Sequence, residues 1–188
     1  MKRTFEEKIG LQGLVRIYVD GELRWEGSNL VTNAGLAYNA ILLGGLAAII
    51  LPGATSYETI DTIRIGNGGS VHLVTDPTVP NPPQRADTAL YAEIIPAPVL
   101  SQNVAVSVAS NTVTFTAAVF SDNFTNSDFP NTDGAVIPQT LFVNEAGLYV
   151  NAPETSVQVL FARVTFPSIQ FAPTSGTTLT IEWIVGSL

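Results

Sequence analysis

Apolar residues at every second position constrain this chain more than any other feature. In GLVRIYVDGELRWEG, residues 13–27, Val15, Ile17 and Val19 alternate with Arg16 and Tyr18, and Leu23 and Trp25 alternate with Glu22, Arg24 and Glu26. Side chains of an extended chain point to opposite faces in turn, so a period of two means one buried face and one wet face. Asp20-Gly21 stands between the runs and suits a type I′ turn, in which both central residues need positive φ. The segment reads as a β-hairpin with Leu23 and Trp25 as one apolar set.

The same period returns later. NVAVSVAS and NTVTFTAAVF alternate through Val104, Val106 and Val108 and then Val113, Phe115, Ala117 and Val119, with Ser110-Asn111 joining them as a second hairpin. TIDTIRIGNGG (59–69) reads as a strand closed by a glycine-rich turn, and EAGLYV, VQVLFARVTFPSIQF and TTLTIEWIVGSL as three more strands. From Val157 to Phe166 both faces are apolar, the pattern of a strand covered on both sides. VTDPTVPNPP (74–83) holds four prolines and cannot pair in a ladder; SDNFTNSDFPNTDG (121–134) is a polar loop.

One stretch follows a different period. Thr32 or Asn33 can cap a helix that runs through Leu36, Asn39, Ala40 and Leu43, breaks at Gly44-Gly45 and stops by Pro52-Gly53. It is apolar nearly all round, so it is expected to be buried. Its Ala34-Gly35 step puts small residues where another backbone can come close. LAYNAILLGGLAAIIL (36–51) is shorter than the ~20 residues a membrane span needs, so no membrane role is read from it. The whole therefore reads as a mainly β chain: an antiparallel, jelly-roll-like β-sandwich with one buried helix near residues 33–50. The expected division is an N-terminal hairpin or arm over residues 1–28 and a sandwich domain over residues 29–188.

Composition bears on partners. Of the 188 residues 46% are apolar and only 13% are charged, about half the ~25% of an ordinary soluble domain. So few charges leave apolar surface for other chains to cover, which makes a homo-oligomer the expectation. The net charge of −8 disfavours phosphate backbones, and the only basic cluster is Lys2, Arg3 and Lys8, so no nucleic-acid partner is expected. With no cysteine, disulfides and thiolate metal sites are excluded. MKRTFEEKIG is not read as a secretion signal, because Glu6 and Glu7 stand where an apolar run belongs.

Catalytic chemistry finds little footing. His72 is the one histidine, with no nucleophile elbow, and reads as an exposed loop residue. Glu145 and Glu182 are the carboxylates to weigh for glycan cleavage; the simpler reading pairs Glu145 with Arg163 or makes it a turn cap, and leaves Glu182 facing solvent. Asp122, Asn123, Asn126, Asp128 and Asp133 offer oxygens for calcium, yet their spacing misses the calcium-loop pattern. RIGNGGS lacks the lysine and helix of a phosphate loop and reads as a turn. No catalytic residue, metal or cofactor is assigned. Exposed aromatics mark interfaces and sugar-stacking sites alike. Phe124 and Phe129 in the polar loop, with Tyr18 and Trp25 on the hairpin, are the candidate partner contacts, although hairpin packing is the competing reading for Trp25.

The order of these pieces resembles small structural proteins of tailed bacteriophages, of the tail-fibre-like or virion structural kind. NLVTNAGL opens a helix, IRIGNGG comes next, and DTALYAEI stands after a proline-rich loop. VTFTAAVF, EAGLY, LFARVTFPSI and LTIEWIV then complete the set, from about Asn29 to Val185. The hairpin before Asn29, Arg85 ahead of DTAL and the long 121–134 loop depart from that pattern. The resemblance implies a virion location and a non-enzymatic role in the tail (fibre, baseplate or neck), packing on copies of itself and on other virion proteins. Capsid decoration is the alternative position. A host-glycan binding module, using the aromatics and the Asp/Asn-rich loop, is the alternative of another kind.

Overall fold

The computed structural model describes residues 11–44, 60–71, 79–94, 102–107, 112–119, 141–152, 157–172 and 176–187. His72, Phe124, Phe129, the 121–134 loop, the N-terminal basic cluster and the continuation of the helix past Gly44 lie outside these residues. The strands are β1 (Leu11–Val19), β2 (Glu22–Ser28), β3 (Leu30–Val31), β4 (Ile60–Gly66), β5 (Ser70–Val71), β6 (Val79–Pro80), β7 (Gln102–Ser107), β8 (Thr112–Val119), β9 (Leu141–Ala152), β10 (Val157–Phe171) and β11 (Leu179–Ser187). Helix α1 spans Asn33–Gly44.

The strands form a five-stranded antiparallel sheet in the order β2-β1-β11-β8-β7 and a four-stranded one in the order β3-β10-β9-β4, with β5 and β6 as a separate pair; Val79 and Pro80, in the proline-rich stretch expected not to pair, thus do so with Val71 and Ser70. The two larger sheets share one core. Val15, Ile17, Phe115, Ala117, Ile181 and Trp183 from the first meet Ile63, Ile65, Ala146, Leu148, Ala162 and Val164 from the second. This is the sandwich that alternation requires. The winding proceeds by hairpins, since β1–β2, β7–β8 and β9–β10 are each neighbours in one sheet. Between these hairpins the chain passes from one large sheet to the other, at β2–β3, β4–β7, β8–β9 and β10–β11 among the described strands.

The first hairpin turns as expected, with Asp20 and Gly21 at φ of 52° and 79°. It is not, however, a separable arm. β1 pairs with β11 from Leu11↔Ser187 to Val19↔Leu179, and Val15 and Ile17 are fully buried. Asp20 exchanges two further hydrogen bonds with Thr178 (2.9 and 2.8 Å). Residues 11–28 thus belong to the larger sheet. Nor are Leu23 and Trp25 one apolar set. The register runs Tyr18↔Leu23 and then Ile17↔Trp25, leaving Arg24 unopposed in a bulge. An extra residue reverses the facing of every residue after it, so Trp25 turns inward onto Phe166 (5.4 Å between ring centres) while Leu23 is 50% exposed.

Helix α1 starts where the sequence placed it, and Thr32 is the cap: its Oγ1 accepts from Gly35 N (3.0 Å) and donates to Leu160 O (2.6 Å). Over residues 33–39 the helix is buried on one side only. Tyr38 meets Phe161 edge to face, whereas Leu36 and Ala37 are exposed. A helix with no polar face gives its period nothing to show, so the sequence could not tell a half-covered helix from a buried one.

Candidate functional site: a buried ion pair beneath a clamped loop

Alternation in EAGLYV sends Ala146, Leu148 and Val150 into the core and Glu145, Gly147 and Tyr149 to the opposite face of β9. There β9 lies between β10 and β4, with Gly147 opposite both Arg163 and Arg64. This outer face is roofed by residues 81–94. The roof is tied to the end of β4 by Asn67 N to Ala92 O (2.9 Å) and Ile94 N to Ile65 O (3.0 Å), and to the helix start by Asn33 N to Arg85 O (2.7 Å). Leu90, Tyr149 and Leu160 make a small apolar cluster beneath it.

Glu145 is the centre of the arrangement and is fully buried. Its Oε1 accepts from Gly68 N (3.0 Å) and Ala92 N (2.8 Å). Its Oε2 accepts from Tyr91 N (3.2 Å) and from Arg163 Nε (3.0 Å) and Nη2 (2.7 Å). Every partner is a donor, as an ionised carboxylate requires. Arg163, 2% exposed, uses its remaining nitrogen on Asp87 Oδ2 (2.8 Å), and the same oxygen accepts from Gln84 N (2.8 Å). Beside it Arg64 pairs with Glu93 (2.5 Å) and lies over the Tyr149 ring, 5.1 Å from its centre. The Tyr149 hydroxyl accepts from Leu90 N (3.0 Å), and burial pushes its pKa up to about 12.

The glycine-rich turn does cradle an anion, and the anion is the chain's own. Gly68 N points at Glu145, and Gly69 N at Asn144 Oδ1 (2.7 Å). A Cβ at Gly69 would stand 2.0 Å from Asn144 O, and one at Gly66 2.5 Å from Ala92 O. The two Ala-Gly-Leu steps are also places of close approach. A Cβ at Gly35 would meet Phe161 O at 2.1 Å, and one at Gly147 would meet the Tyr149 ring and Leu160 at 2.8 and 2.9 Å.

The structure does not bring the two weighed carboxylates together. Glu182 lies on the outer face of the larger sheet, where its Oε2 accepts from Tyr18 OH (3.0 Å). Glu145 lies on the outer face of the other sheet, with the whole core between them. A glycosidase pair stands ~5–10 Å apart, and two packed sheets alone are ~10 Å apart. Tyr18, a candidate contact, is thus held on an outward face, its hydroxyl raised above its ordinary pKa by burial and by Glu182. Trp25 is half-buried between the sheets. Among the described residues no three of His, Asp and Glu gather as a metal set, and no helix is long and apolar enough to cross a membrane.

What the sequence reading missed is Tyr91. It is the most exposed large apolar residue described, at 73%, yet its own N–H and that of Ala92 are fixed on Glu145. The only signal was its place in DTALYAEI, between a buried leucine and a paired glutamate. Comparison with known protein families, curated proteins and solved structures gave no match.

Proposed function

We propose that the protein is a non-enzymatic structural component of a phage virion, tail-associated, that acts by packing on copies of itself and on other virion proteins. One observation carries this reading. The pieces whose order resembles phage structural proteins, IGNGG, DTALYAEI, EAGLY and FARVTF, meet at Glu145 and Arg163. Glu145 holds backbone there, Arg163 holds Glu145 and the Asp87 side chain, and the loop so held in place displays Tyr91. A rigid aromatic on an ordered backbone is the form an interface anchor takes, because little entropy remains to be lost on docking.

The test has two parts. Light scattering of the purified chain reads self-association, and a trimer or larger ring supports it. Antibody labelling of intact virions, viewed by electron microscopy, reads position. Label on the tail fits the reading, label over the capsid surface moves the protein to decoration, and virions that carry no label overturn it.

A further inference from the structure

The open edge of the sandwich carries a second feature, independent of the Glu145 network. β3 covers β10 only at Ala162 and Arg163, so from Val164 to Phe171 β10 has no strand on that side among the described residues. β2 is the edge of the facing sheet. The β10 register breaks between Thr165 and Ile169, and next to that break, between β2 and β10, lies a cleft of about 570 Å³, lined by Asp20, Arg24, Trp25, Ser168, Gln170 and Thr177 among others. That volume lies within the ~300–1,000 Å³ of small-ligand sites.

The occupant is set by the groups that the walls accept and refuse. A peptide strand would have to add to β2 or β10, and both edges are blunted against it. β2 bears Glu22, Arg24 and Glu26 along its length, and β10 has a bulge with Pro167, which lacks an N–H. The walls instead offer an aromatic ring, apolar surface from Val19, Pro167, Ile169 and Ala172, and short hydrogen-bonding groups. Trp25 has Phe166 against its ring, which fixes it at the cleft. Asp20 is fixed by Thr178 N on Oδ1 (2.8 Å), Thr177 donates to Ala172 O, and Ser168 and Gln170 are exposed. An amphipathic ring with equatorial hydroxyls matches a stacking platform bordered by polar groups of both kinds.

We propose that this cleft binds a short saccharide, with Trp25 stacking on a sugar ring and Asp20, Ser168, Gln170 and Thr177 reading its hydroxyls. The site differs from the Asp/Asn-rich loop that the sequence put forward for glycan.

The chain reports on the cleft through its own fluorescence. It has two tryptophans, and Trp183 is fully buried, so a sugar that reaches solvent-side indole perturbs Trp25. The full chain is titrated with mono- to trisaccharides of hexoses, N-acetylhexosamines and uronic acids, read by fluorescence and by saturation-transfer NMR. The expected result is saturable binding by one of these classes. Gln170→Ala weakens it by roughly tenfold, the loss of a hydrogen bond or two, with Tm unchanged. Ser168→Trp fills the cleft from an exposed position and abolishes binding. The proposal is overturned if no saccharide binds by either method, or if binding survives Ser168→Trp in a folded protein. Light scattering on the same samples separates this result from the assembly reading, since neither variant touches Tyr91 or its loop.

Discussion

At the scale of single residues, Glu145 decides most. A buried pair is weak evidence of stability in itself, but removing one partner leaves the other charged and unpaired. Glu145→Gln keeps the shape and strands Arg163, and its amide would also face backbone donors at Gly68, Tyr91 or Ala92. The expected cost is about 3–5 kcal/mol, a Tm lower by roughly 10 °C or more in a domain of this size. Thermal unfolding followed by circular dichroism checks it, and an unchanged Tm would contradict a buried, ionised Glu145. Tyr149 gives a pH signature. Its folded pKa of about 12 lies above its ordinary 10.0, so its contribution is complete below about pH 10 and is lost as pH rises towards 12, where the unfolded chain gives up its proton first. Tyr149→Phe lacks that loss but orphans Leu90 N, at about 1–2 kcal/mol. Wild type is therefore the more stable near neutrality, and its lead over Tyr149→Phe shrinks between about pH 10 and 12. Urea titrations at stepped pH measure the lead; one that stays constant would mean the hydroxyl is not held protonated.

At the scale of elements, the helix and the hairpin show how far a sequence can be read. A cap at Thr32 or Asn33 and Asp20-Gly21 as turn were legible because both are local chemistry, settled within a few residues. Gly35 was legible as a close approach, though its partner was not: the carbonyl of Phe161 lies far along the chain. Gly35→Ala drives a methyl into that carbonyl and is expected to cost about 3 kcal/mol, with loss of helix signal at lower denaturant as the readout. The bulge at Arg24 was illegible, since a period of two looks the same whether or not a residue is skipped opposite it. The roof over Glu145 was illegible for another reason. Its pairing with Arg163 or a turn could be named from charge and glycine content, but nothing local says that residues 81–94 return across β9. The hairpin tests the difference between arm and core. Deleting residues 1–10 leaves the described sheet whole, whereas deleting 1–28 removes Val15 and Ile17 from the core and one of β11's two partners with them. The shorter deletion is expected to fold and the longer to be insoluble or molten, as near-ultraviolet circular dichroism would show; a cooperative, native-like 29–188 fragment would restore the arm.

At the scale of the whole molecule, the question is where so lightly charged a chain makes its contacts. Of the five arginines described, Arg16, Arg24, Arg64 and Arg163 are in ion pairs, and Arg85 donates to the Val31 carbonyl (3.4 Å). Among the described residues the exposed large apolar ones are Leu23, Leu36, Tyr91 and Phe142, and Tyr91 alone among them rides on backbone clamped by a buried carboxylate. If assembly uses that loop, Tyr91→Ala weakens association by about 2 kcal/mol or more, the loss at an anchoring aromatic, which is roughly thirtyfold in the dissociation constant. Its backbone bonds remain, so Tm of the dissociated chain does not move. Light scattering over a concentration series compares the two proteins. A rightward shift for Tyr91→Ala with unaltered unfolding places the interface at the loop, and coincident curves remove Tyr91 from it. Leu23→Ser serves as the reference, because Leu23 is equally apolar but sits on a sheet edge that carries Glu22, Arg24 and Glu26. Surface apolarity alone would make the two variants alike; only a contact made by a held residue makes Tyr91 the costlier loss.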